Sequence, residues 1–94
     1  MPTKRDRAIE LAEQARKEIE STDGLYDRLS LGAIDDIIGK LRALRSLMGT
    51  CPDANLAIVY LEKMKRPRAD KQAEGERAKN AIVGALMSAY NIAA

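Results

Sequence analysis

The chain has 94 residues, of which 46% are hydrophobic and 32% charged, with a formal net charge of +2. It contains three Tyr and one Cys, and no His, Trp or Phe. A single domain, residues 1–94, is the expectation at this length. A His general base, a His–carboxylate triad and a zinc site built from His or four Cys are all excluded within one chain.

The first segment, about 3–22, reads as a charged amphipathic helix. Ala8, Leu11, Ala12, Ala15 and Ile19 recur at three- and four-residue spacing and make one narrow apolar stripe. Glu13 and Lys17 stand in the favourable i,i+4 order. The rhythm runs on through Thr22, Tyr26 and Leu29, but Gly24 is suited to a left-handed helix end, and a break is expected there.

The second segment, about 30–48, is expected to be the central helix. Ser30 is its cap, and Asp35 and Asp36 are placed near the positive end of its dipole. Ile34, Ile37, Leu41, Leu44 and Met48 form its stripe, widened by Leu31, Ile38 and Leu47. On another face lie Gly32, Gly39, Ala43 and Ser46. Glycine inside a helix costs roughly 1 kcal/mol relative to Ala, so two of them point to another backbone in close approach.

The third segment, about 52–65, opens with Pro52 in its first turn after Thr50 or Cys51 at the cap. The apolar run Leu56–Leu61 also fits a buried strand. Its flanks extend a helical pattern through Ala54, Ile58, Leu61 and Lys65, so a helix is predicted, ended by Pro67 through its restriction on Arg66. The fourth segment, about 70–92, is polar over Asp70–Arg77 and apolar beyond, with Ala78, Ile82, Ala85, Ala89 and Ile92 at helical spacing. Such a helix is expected to project beyond the bundle at its N-terminal end. Gly84 and Ser88 again place small residues four apart. Tyr26 and Tyr60 lie 34 residues apart, but their flanks share nothing, so there is no repeat.

Three motifs carry bland readings. Gly32–Leu41 superficially resembles a phosphate-binding loop, but it spaces its glycines wrongly and has Leu41 where Ser or Thr would hold magnesium. Asp35 and Asp36 are helical neighbours about 100° apart, so their carboxylates do not converge on a metal. Cys51 has no His to act as its base. Lys63–Lys71 differs: five of its nine residues are basic and one is acidic, a local +4 that leaves −2 for the other 85 residues. Lys63, Lys65, Arg66, Arg68 and Lys71 are therefore the candidate contacts to an acidic protein partner or to nucleic-acid phosphates. No aromatic residue is interleaved to stack bases.

Together these features predict an all-α fold, a small bundle of three to four helices. Leu, Ile and Val supply only 20 residues, and the balance of 16 basic against 14 acidic side chains argues for folding rather than disorder. The core is thin and lacks large aromatics, so a homodimer is expected to add burial. Gly32, Gly39, Ala43, Gly84 and Ser88 are its candidate seam or close-packing positions. A lone Cys51, a charged N-terminal segment and no run of 18 apolar residues point to a cytoplasmic protein without cofactor, metal or membrane. The expected role is a non-catalytic protein-binding module (adaptor, inhibitor or assembly factor) of the size of a phage- or plasmid-encoded accessory factor. The alternative is a nucleic-acid-binding accessory protein that uses residues 63–71.

Overall fold

In the computed structural model, which describes residues 2–92, helix α1 (Lys4–Glu20) opens on a reciprocal capping box. The Asp6 N–H donates to Thr3 Oγ1 at 3.0 Å, and the Thr3 N–H donates to Asp6 Oδ2 at 3.2 Å. Helix α2 (Leu31–Met48) is capped by Ser30, whose Oγ accepts from the Ala33 N–H at 3.1 Å. Helix α3 (Pro52–Met64) has Pro52 in its first turn, after Cys51 at the cap, whose side chain makes no capping bond. Helix α4 (Lys71–Tyr90) starts where Asp70 Oδ1 accepts from the Ala73 N–H at 3.1 Å. There is no strand among the described residues, so the apolar run in α3 resolves as helix.

The chain does break at Gly24. Asp23 (φ +52°) and Gly24 (φ +85°) turn it into a short 3₁₀ segment, Tyr26–Arg28. The apolar rhythm nevertheless keeps its meaning, because Tyr26 and Leu29 are still buried. Gly49 (φ +80°, ψ −57°) ends α2 at a positive φ that glycine adopts without a Cβ penalty.

Each helix has two lateral neighbours: α1 lies against α2 and α4, and α3 lies against α2 and α4. Sequential helices run antiparallel, as the α2–α3 links Arg45–Asn55 and Lys65–Asp35 show. This is an up-and-down four-helix bundle, 42 × 22 × 19 Å. Its core is aliphatic and rich in Ala, with Ile19, Ile34, Ile37, Leu41, Leu44, Leu61, Met64 and Ile82 as its largest fully buried side chains. No helix among the described residues is long and apolar enough to cross a membrane.

Four expectations change. The polar start of α4 does not project. Its Gly75 is buried beneath Tyr26, while Lys71 and Gln72 donate to the carbonyls of Leu29 and Gly24. Polar side chains cover a loop there by satisfying its backbone. Leu31 is exposed rather than part of the apolar stripe of α2. The first turn of α2 holds no acidic residue, so Asp35 and Asp36 lie beyond the reach of its dipole and instead pair with Lys65 and Lys40. Finally, Gly32, Gly39, Ala43 and Ser46 are all exposed on the outer face of α2. Nothing lies within 4 Å of a Cβ built on Gly39, so no backbone of the same chain approaches there.

Candidate interaction surface

The basic segment is shaped by a tight turn. Helix α3 ends at Met64 with Lys65 as its C-cap, and the Arg66 N–H still bonds the Lys63 carbonyl at 3.2 Å. The Ala69 N–H then donates to the Arg66 carbonyl at 3.2 Å, with Pro67 and Arg68 as the central residues. Arg68 has φ +65°, so this is a turn of the type II pattern, with proline first and a left-handed residue second. Glycine or asparagine ordinarily takes that second position. An arginine there carries backbone strain of about 1 kcal/mol.

The five candidate cations do not act together. Lys65 turns toward α2, with its Nζ 2.7 Å from Asp35 and 3.8 Å from Glu62. The hydrogen bond to Asp35 is the main cause of its raised pKa. Lys71 donates to the Leu29 carbonyl at 3.1 Å and closes the Tyr26 loop. Lys63, Arg66 and Arg68 remain, and among the described residues none of them has a carboxylate within ion-pair distance. Lys63 Nζ sits 5.7 Å from the centre of the Tyr60 ring.

These three cations line an open cleft of about 350 Å³ with Pro67, Ala69, Asp70 and Glu74. Asp70 is committed to capping α4. Glu74 Oε1 accepts from Arg77 at 3.0 Å, whereas Glu74 Oε2 is buried without a hydrogen-bond partner. An orphaned buried acceptor is costly, and Oε2 is the one such side-chain atom among the described residues.

Sequence reasoning passed over the neighbouring face. Leu56 and Val59 are each 47% exposed, on the side of α3 opposite Ala54, Ala57, Ile58 and Leu61. The helical spacing of the apolar run contains this signal, since six consecutive apolar residues cannot all face one core. Gly84 and Ser88 occupy a different place, against the start of α3. A Cβ on Gly84 would stand 2.9 Å from the Asp53 carboxyl carbon, and Ser88 Oγ is 3.5 Å from Asp53 Oδ2. Close packing is therefore observed at Gly84, between two helices of one chain. The described residues contain no cluster of three or more Cys, Asp or Glu suited to a metal ion.

Comparison with protein-family models, with curated proteins and with solved structures gives no match.

Proposed function

We propose that this chain is a small, non-catalytic helical module that binds a partner protein through the α3–α4 turn and the adjoining face of α3. The observation that carries this reading is Arg68. A long cation without an internal partner occupies a left-handed position that glycine would fill with less strain. Nothing in the fold uses its guanidinium, so the strain is accounted for by what the guanidinium meets outside the fold. Arg66 and Lys63 border the same cleft, and exposed Leu56 and Val59 continue it along α3. A mixed apolar and cationic surface suits a protein partner better than a phosphate backbone, which would leave the apolar part unused.

The test compares wild type with R68G and with R66Q/R68G as baits in nuclease-treated lysate of the native source. R68G is expected to fold with equal or slightly greater stability, since removal of about 1 kcal/mol of left-handed strain is offset by about 0.5–1 kcal/mol for the entropy of glycine, a net gain of about 0–0.5 kcal/mol. The double variant should lose at least tenfold of the protein retained by wild type. Equal retention by all three baits would overturn the proposal. So would binding of a purified DNA or RNA probe in a separate assay, with an affinity that falls steeply with salt, where the baits retain no protein.

A further inference from the structure

We infer that the outer face of α3 and the turn beyond it dock one kind of partner element: an amphipathic helix, acidic in its first turn, lying antiparallel to α3. This rests on the protein-binding reading above and adds the chemistry and direction of the partner. Pro52, Leu56, Val59 and Lys63 recur at helical spacing on the exposed side of α3. They span about 16 Å, roughly three turns of a facing helix. The stripe is not uniform. Its first two turns are apolar, its third carries Lys63 over Tyr60, and the turn beyond adds Arg66 and Arg68.

A facing helix matches the apolar part with side chains at i, i+3 or i+4, and i+7. It matches the cationic end with carboxylates. A helix accommodates Asp and Glu best in its first turn, where its dipole is positive. The acidic end is thus the partner's N-terminus, which sets it antiparallel to α3. The unmet need of the cleft, anions for Arg66 and Arg68, is supplied by the first turn of a helix.

A second copy of this chain is a poor occupant. Its α1 begins Lys4-Arg5-Asp6-Arg7, its α2 has no acid in the first turn, and α3 and α4 have one each.

The experiment is selection from a displayed library of helical 20-residue peptides on wild-type protein, with counter-selection on L56E/V59E. Both substitutions lie at exposed positions, and circular dichroism confirms that the variant folds. Enriched peptides are expected to carry apolar residues at i, i+4 and i+7 and at least two carboxylates in the first turn. A synthetic peptide of the leading sequence should bind at least tenfold more weakly to L56E/V59E and to R66Q/R68Q. Moving its acidic residues to the last turn should abolish binding. Enrichment of peptides basic or acidic at the other end, or binding indifferent to these variants, overturns the inference and leaves the protein-binding reading standing. Failure to enrich any sequence overturns the inference. Failure accompanied by a solution dimer that L56E/V59E dissociates, or by binding of a 20-nucleotide DNA or RNA probe, overturns that reading as well.

Discussion

Substituting alanine at two glycines of this fold should give stability changes of opposite sign. A Cβ on Gly75 would overlap Tyr26 Cβ, and it would stand 2.7 Å from Tyr26 Cγ and 3.3 Å from Met64 Cε. Tyr26 Cβ is fixed to its own backbone, so no rotamer change relieves the overlap and the 3₁₀ segment must move off α4. Tyr26 and Leu29, now 6% and 4% exposed, hold that segment down. Each such side chain contributes about 1.5–3 kcal/mol when fully buried, so losing half of both burials costs about 2 kcal/mol. The better helix propensity of Ala returns about 1 kcal/mol. G75A is therefore expected to be net destabilising by about 1 kcal/mol. Gly39 lies within α2, exposed and with open space where its Cβ would be, so G39A is expected to be stabilising by up to about 1 kcal/mol. The gap of about 2 kcal/mol corresponds to roughly 8–16 °C in Tm for a domain of this size. Urea unfolding followed at 222 nm measures both as midpoint shifts at constant slope. Equal stabilities for G75A and G39A would refute the packing argument. A drop in solution mass for G39A would show instead that the α2 stripe is a seam between copies.

Two further outcomes follow from buried or paired groups. Lys40 bridges Glu18 at 2.9 Å and Asp36 at 2.6 Å; its hydrogen bond lowers the Asp36 pKa, while burial raises that of Glu18. The stabilisation linked to Asp36 is present above its unfolded pKa of about 3.9 and lost as pH falls below it through the lower folded value. The penalty at Glu18 instead is full above its raised folded pKa and relaxes as pH falls toward the unfolded value of about 4.3. Carboxyl NMR titration of K40M should show both midpoints moving up, with about 1 kcal/mol lost at neutral pH from the Lys40–Glu18 contact; an unmoved Asp36 would refute the coupling. The Cys51 thiol is 1% exposed, so a disulfide reagent should label it only through opening of the fold and faster in G75A; immediate native-state labelling would contradict its burial.

What the sequence made legible was local. Thr3, Ser30, Pro52 and Asp70 mark helix starts through chemistry completed within one turn. Gly24 and Gly49 mark stops by the same logic. What it concealed was set by contacts between distant residues. Gly75 is special because of Tyr26, 49 positions earlier, and a polar stretch offers no apolar rhythm to announce that contact. Gly39, read from the sequence as a close-packing position, meets nothing. Charge behaved likewise. The +4 segment was visible by counting, but Lys65 finds Asp35 across 30 residues and Lys71 finds a carbonyl across 42. Which cations stay free depends on how helices register against one another.

The molecule's unmet local requirements are unevenly distributed, and that distribution bears on function. On the α1–α2 side, Arg16 pairs with Glu13 and Glu20, and Lys40 with Glu18 and Asp36. Around the α3–α4 turn the same rules fail together: a left-handed arginine, three cations without carboxylates, a buried acceptor without a donor and two exposed aliphatics next to them. Each failure alone is unremarkable on a small protein's surface. Their coincidence is not what packing alone would select, because replacing Arg68 by glycine or Glu74 by an apolar residue would relieve the first or the third without disturbing the core. Asp23 is also left-handed, and Leu31 and Met87 are also exposed. A strained cation, an open cationic cleft and an orphaned acceptor, however, meet only at the α3–α4 turn among the described residues, which indicates a surface shaped for something other than stability. Arg68 separates the two pressures in a single residue, since its replacement by glycine should leave the fold at least as stable and weaken what the fold binds.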